Sequence, residues 1–166
     1  ATFVAQRDLF DVRCREAGEN SPASENLLLF RQDYQASGGR EIFLSFEDKN
    51  RERLYSLLRL RLPKTEETRS LPFFPTLRGA AIIRELHTYG QSLPVSQRQK
   101  NSPQHQGLGK KLMREAERIT LKEFGIKKMA VIAGVGVRGY FRKLGYKLRE
   151  TYMVKQLFAW TAEKRR

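Results

Sequence analysis

Gly107 and Gly109 stand one residue apart within Gln104-His105-Gln106-Gly107-Leu108-Gly109-Lys110-Lys111, directly ahead of a helical pattern. Leu108, Leu112, Ala116 and Ile119 recur at three- and four-residue spacing, while Lys110, Lys111, Arg114, Arg118 and Lys122 take the other face. That period predicts a helix over about 107–124. Glycine lets the main chain come close to a ligand, and the free N–H groups of a first helical turn favour phosphate. Lys110 and Lys111 add charge at the same spot. The chemistry suggested is the gripping of a pyrophosphate by main-chain amides; the structural alternative is a helix start with flexible glycines. A second candidate lies upstream. Alternation along Ala80–Tyr89 places Ile83, Glu85, His87 and Tyr89 on one side, with Arg84, Leu86 and Thr88 on the other. Glu85 and His87, two residues apart on one face, could activate water or relay a proton. Alternatively, His87 is a satisfied core histidine and Glu85 half of an ion pair.

The elements that must position these residues follow from the pattern. Leu27–Gln35, Glu41–Glu47 and Leu54–Leu62 read as strands, joined by the turns Ala36-Ser37-Gly38-Gly39 and Asp48-Lys49-Asn50. Such short turns imply an antiparallel meander. In Leu58-Arg59-Leu60-Arg61-Leu62 the leucines take one face and the arginines the other. Pro63–Leu77 is a polar connector, and Ala80–Tyr89, opening Ala80-Ala81-Ile82-Ile83, reads as the most buried strand. Gln91–Pro103 is a second polar loop and a candidate gate. After the long helix come a short strand at Lys128–Ala133, a short helix at Val137–Leu144 stopped by Gly145, and one final strand, Tyr146–Leu157.

The 166 residues fit one domain with a proper core. Thirty-two Lys and Arg against eighteen Asp and Glu give a formal charge of +14, which suggests a polyanionic partner, nucleic acid first. No apolar run reaches spanning length, so no membrane role is expected. A single cysteine, Cys14, leaves no internal disulfide and no structural Cys-based metal site, and it reads as a small buried hydrophobe. A reducing, cytoplasmic setting is expected. The opening residues read as the middle of something longer. Gly134-Val135-Gly136-Val137-Arg138-Gly139 has the dinucleotide-binding spacing, with Glu150 near where a ribose-binding acid would stand. The following helix is too short for a crossover, and these are read as turn glycines.

Taken together, several stretches resemble one family. They are Asp11-Val12-Arg13-Cys14-Arg15-Glu16, Leu57-Leu58-Arg59-Leu60-Arg61, Ile83-Arg84-Glu85-Leu86-His87-Thr88-Tyr89-Gly90, Gln104–Gly109, Ala130–Gly136, Tyr140-Phe141-Arg142-Lys143-Leu144-Gly145-Tyr146 and Tyr152-Met153-Val154-Lys155. In order and from near the first residue to near the last, they resemble the acetyltransferase-like C-terminal domain of the Elongator catalytic subunit, the tRNA-uridine acetyltransferase family. Gln-x-x-Gly-x-Gly alone resembles the acyl-CoA loop of the GNAT acetyltransferases. The resemblance implies an α/β (α+β) GNAT acyl-CoA N-acyltransferase fold over 26–166: a mixed, mostly antiparallel sheet with a splayed parallel strand pair and flanking helices. Residues 1–25 would lead in from a radical-SAM domain that uses S-adenosylmethionine and an iron–sulfur cluster. This chain has no Cys-x-x-x-Cys-x-x-Cys for such a cluster. Leu9 and Asp11 stand where the family's further cysteines would be, so no metal is expected from that segment.

The resemblance also implies roles. Acetyl-CoA would lay its thioester arm along Arg84, Glu85, Leu86 and His87, pairing with strand main-chain groups. Its pyrophosphate would sit on Gln104, Gly107, Leu108, Gly109 and Lys110. Tyr140 would stand near the sulfur, where a phenol can hand a proton to a departing thiolate. The usual GNAT tyrosine position holds Phe141, so Tyr140 is either the general acid or a CoA-contacting packing residue. Catalysis would then fall to Tyr140, Glu85 and His87, and His105 is structural. Partners would be tRNA, through Arg59, Arg61 and basic residues near both termini, and other Elongator subunits. Two rivals remain: a protein (histone) lysine acetyltransferase, and a non-catalytic module that binds CoA and tRNA.

Overall fold

The computed structural model of the chain describes residues 13–17, 26–63, 74–89 and 107–158. Expectations for Gln104, His105, the loop 91–103 and most of 1–25 lie outside them. Among the described residues, no helix is long and apolar enough to cross a membrane.

Seven strands form one sheet: β1 (Leu28–Ala36), β2 (Gly39–Glu47), β3 (Leu54–Leu62), β4 (Ala80–Thr88), β5 (Lys128–Val131), β6 (Lys147–Arg149) and β7 (Tyr152–Gln156). Among the described residues two α-helices accompany them, α1 (Leu108–Lys122) and α2 (Arg138–Lys143). The spatial order is β1-β2-β3-β4-β5-β7-β6. Every neighbouring pair is antiparallel except β4 and β5. The meander expected from the short turns is present. Ser37 and Gly38 between β1 and β2 both take positive φ, 46° and 75°, the backbone hand that matches strand twist in a two-residue hairpin.

Period two in the strands and period 3.6 in α1 place the core between them. Leu58, Leu60 and Leu62 of β3 join Ile42, Leu44 and Phe46 of β2 beneath Leu112, Met113, Ala116 and Ile119 of α1. Each such side chain, fully buried, stabilises the fold by about 1.5–3 kcal/mol. The arginines of β3 face the other way, as expected. There the Glu41 carboxylate of β2, fully buried, accepts hydrogen bonds from Tyr34 at 3.0 Å, Arg59 at 3.2 Å, Arg61 at 3.5 Å and Arg84. Arg61 also donates to the carbonyls of Ala36 and Ser37, each at 2.9 Å, tying down the first hairpin. Burial alone would raise the Glu41 pKa; the hydrogen bonds from Arg84 and Tyr34, with the charges of Arg84 and Arg59, outweigh it and hold the carboxyl below the usual range.

Four expectations are corrected. The single final strand is a hairpin, β6 and β7, turned at Glu150 (φ 52°), with β7 against β5 and β6 at the edge. β4 is not the most buried strand. That is β2, flanked on both sides and buried except at Arg40, whereas β4 opens to solvent at Arg84 and Glu85. Cys14 is exposed on a short 3-10 turn, Arg13–Arg15, because the next residues carry the packing instead. Ala17 is buried in the main core and its N–H donates to the Leu54 carbonyl at 2.9 Å. Arg15 donates to the buried Glu47 carboxylate at 2.8 Å, which Arg51 (3.3 Å) and Ser45 (2.5 Å) also reach. The fourth correction, to the alternation in β4, belongs to the site. The Gly134–Gly139 stretch is as read: a 3-10 turn, Val135–Val137, runs into the six-residue α2, and the described strands that follow, β6 and β7, pair antiparallel.

Arg15→Ala should lower stability by about 1–3 kcal/mol, because Glu47 keeps only part of its hydrogen bonding; urea unfolding measures it, and an unchanged midpoint would detach residues 13–17 from the domain. Glu41 gives a pH signature. Its folded pKa lies below its ordinary 4.5, so its stabilisation is complete above that value and is lost as pH falls below it. Glu41→Gln should therefore be less stable than wild type by on the order of 2 kcal/mol at neutral pH, and the gap should close in denaturant melts taken toward pH 3.

Candidate functional site

β4 has a neighbour along most of its length on one side only. β3 pairs with it from Arg61↔Ile82 to Ser56↔Thr88, whereas β5 pairs over Ala80↔Lys128 to Ile83↔Val131. The Ile132 N–H, donating to the Ile83 carbonyl at 3.2 Å, is the last bond of that parallel seam. Beyond it, among the described residues, the edge of β4 over Arg84–Thr88 meets no strand. An extended ligand with its own amides can pair there as a strand would.

Within the same stretch β4 carries one extra residue. Arg59 lies opposite Glu85 and Leu60 opposite Ile83, so Arg84 is inserted between them as a β-bulge. The bulge overturns the plain alternation. Ile83 and Leu86 both pack on the α1 side, although they are three apart. Arg84, reaching Glu41, and Glu85, 3.7 Å from Arg59, share the opposite face. Glu85 and His87 therefore do not share a side with Ile83. His87 sets its ring against Tyr89, tilted by 42° with centroids 4.4 Å apart, and no hydrogen bond joins it to Glu85.

α1 begins beside this open edge. Gly107, its N-cap, takes φ +66°, and no side chain caps the helix. The Gly107 carbonyl accepts from the Lys111 N–H at 3.0 Å, so the earlier amides of the first turn have no partner inside the helix. A Cβ on Gly109 would come 3.1 Å from the Tyr140 hydroxyl, 3.5 Å from Thr88 Oγ1 and 4.0 Å from Leu86 Cδ1. The first turn of α1, the phenol on α2 and the far end of β4 thus converge, and the missing methyl keeps the space open. Lys110 is exposed at the same turn, while the Leu108 side chain is buried, leaving only its main chain to a ligand.

Tyr140 and Phe141 divide two jobs. Phe141 is buried in the main core and packs edge-on against Tyr146, while Tyr140 is 40% exposed and sends its hydroxyl to Gly109. Burial of the Tyr140 ring raises its pKa above 10.0, so the phenol keeps its proton through the neutral range. Thr88 belongs to the site and was not singled out from the sequence. Its spacing from Leu86 was the available signal. Ser56 Oγ donates to the His87 carbonyl at 2.8 Å and lies 2.9 Å from Thr88 Oγ1. Ser56 has one proton, so Thr88 donates to Ser56 and keeps its lone pairs for the convergence point. No group of His, Cys, Asp and Glu suited to a metal ion occurs among the described residues.

No family model matches the chain. It is 49% identical over 163 residues to Elongator complex protein 3 of Mus musculus, covering 93% of this chain and 29% of that protein. It is 47% identical over 151 residues to tRNA uridine(34) acetyltransferase of Dehalococcoides mccartyi, covering 88% and 32%. Among solved structures, the archaeal Methanocaldococcus infernus Elp3 with N-terminus deletion (1–46) superposes with a TM-score of 0.72 at 44% identity, over 88% of this chain and 35% of that one. The chain spans about a third of the length of the relatives it matches. With identity this high running along nearly all of its residues, the chain is a homologue of the matching part of Elongator complex protein 3 and of tRNA uridine(34) acetyltransferase.

Proposed function

We propose that this chain is the GNAT-type, acetyl-CoA-binding acetyltransferase domain of a tRNA wobble-uridine-modifying enzyme that forms carboxymethyluridine. The observation that carries this reading is the meeting of an unpaired β4 edge, an uncapped glycine-led helix start and the Tyr140 hydroxyl at one place. The names of the relatives agree with it. The radical-SAM partner domain, with its iron–sulfur cluster and S-adenosylmethionine, belongs to the rest of such an enzyme. tRNA and other Elongator subunits are its proposed partners, and the +14 charge suits a polyanion.

The residues fit the proposed cosubstrate. The first-turn amides over Leu108–Lys110 hold the pyrophosphate, aided by Lys110 and by the helix dipole. Gly109 lets the chain approach because any side chain there would fill the gap to Tyr140. The main chain of Arg84–His87 orients the thioester arm by strand-like pairing, which supplies position at little entropic cost. Bound there, acetyl-CoA supplies an activated acetyl group. Tyr140, protonated at neutral pH, is the donor available to a departing thiolate. Glu85, exposed beside Arg59, and His87 are the candidate bases on the opposite face of the strand. Gln104 would extend the pyrophosphate cradle.

Gly109→Val should weaken CoA binding by at least about tenfold in calorimetry while the circular dichroism spectrum stays that of the wild type; undiminished affinity in a folded variant would end the proposal. Tyr140→Phe should lower kcat by about 10²-fold or more with KM nearly unchanged if the phenol is the proton donor. An equal loss in binding instead would make it a contact residue. Acetyl-CoA turnover should rise with tRNA and not with a histone-tail peptide, whose positive charge the domain repels.

A further inference from the structure

The bulge that sets the direction of every residue in the far half of β4 is held from two strands away. A β-bulge interrupts the ladder and persists where its surroundings enforce it. Here the inserted residue, Arg84, spans β3 and ends on Glu41 of β2. The Arg84 side chain is 44% exposed, so solvent could have taken it, whereas the Glu41 side chain has no exposure at all. Glu41 is enclosed by Tyr34 from β1, Arg59 and Arg61 from β3, and Arg84 from β4. None of these partners except Arg84 lies on the strand with the open edge.

Strand geometry says what the bulge decides. Because side chains and main-chain groups alternate with period two, removing one inserted residue turns everything beyond it to the other side. Without the bulge Leu86 and Thr88 would turn away from Gly109, and Glu85 and His87 would point into the α1 core. The N–H and C=O groups presented along the open edge would also trade places. Plain alternation read from the sequence describes that unbulged strand.

We propose that Glu41 is a positioning residue: by anchoring Arg84 on the outer face it fixes the bulge, and so selects which main-chain groups of Glu85–Thr88 meet the amides of a pantetheine arm. The inference rests on the proposed function only in taking that edge as the arm's site. It assigns a role in ligand binding to a carboxylate that touches no ligand.

The test compares two ligands on the 166-residue chain: coenzyme A, and adenosine 3′,5′-bisphosphate, which shares the nucleotide end and lacks the arm. In wild type, coenzyme A should bind more tightly by calorimetry. In Glu41→Gln and in Arg84→Met that advantage should shrink at least about tenfold while bisphosphate affinity stays within about twofold. Tyr34→Phe removes a hydrogen bond from the same carboxylate without touching β4, and should retain the advantage. In the ligand-free chain, amide NMR shifts of Glu85–Thr88 should move in the first two variants and not in the third. An advantage that survives in Glu41→Gln and Arg84→Met, an equal loss for both ligands, or unmoved β4 amides would each overturn the inference. Should Glu41→Gln fail to fold, Arg84→Met decides, since it leaves Glu41 with Arg59 and Arg61. A wild-type chain that binds both ligands equally would instead sink the reading of the edge, and the inference with it.

Discussion

The proposed site depends on β4 being longer than its parallel partner. A strand left with an unpaired edge is ordinarily a liability, because its main-chain groups lose their ladder. β4 tolerates the loss because β3 pairs with it on the other side as far as Thr88 and because α1 covers Leu86. The parting of β4 from β5 after Ile83 is therefore held by the meander beside it. That explains why the most buried strands, β2 and β3, carry none of the proposed chemistry and yet govern it. Among the polar side chains buried in those strands, Glu41 and Ser56 reach toward β4, the first through Arg84 and the second through Thr88 and the His87 carbonyl.

Much of this was legible in the residues. The α1 boundaries, the three-strand meander and the two faces of Leu58–Leu62 follow from periodicities that burial enforces, and all appear in the structure within a residue or two. Gly107 caps α1 and Gly109 lies in its first turn, where the helical period placed the helix start. What escaped was whatever depends on a single inserted residue. Arg84 carries no mark that distinguishes a bulge from a regular strand position, since the signal lies in its partner, Glu41, more than forty residues earlier. The final hairpin escaped for a similar reason. Tyr146–Leu157 alternates well enough for one strand, and the turn falls at Glu150, a non-glycine at positive φ that gives no turn signal in the sequence. Cys14 was misplaced because composition ranks cysteine as buried, while its neighbour Ala17 has the contact with the core.

The departure at Phe141 from the GNAT tyrosine pattern acquires a physical meaning in the fold. On so short a helix, adjacent side chains point about 100° apart, so one of the pair must face the core. Phe141 takes that place against Tyr146, whose own hydroxyl is held at 2.9 Å by Glu117. Lys155 of β7 closes on the same carboxylate at 2.8 Å. These contacts fix the roll of α2 and, with it, the direction of Tyr140. A hydroxyl at position 141 would be buried among apolar side chains and would need a partner there.

The uneven spacing of strand partners along the chain has a kinetic side. β1 to β3 pair across turns of a few residues, whereas β4 must wait for β5, which arrives only after residues 90–106 and the whole of α1. Closing such distant segments costs more chain entropy, and contacts of this kind generally form late. During synthesis the meander can thus consolidate while the outer edge of β3 still awaits β4, and that of β4 awaits β5. In that interval an unpaired edge invites stray β-pairing with another chain, which charged residues such as Arg84 and Glu85 at mid-strand disfavour.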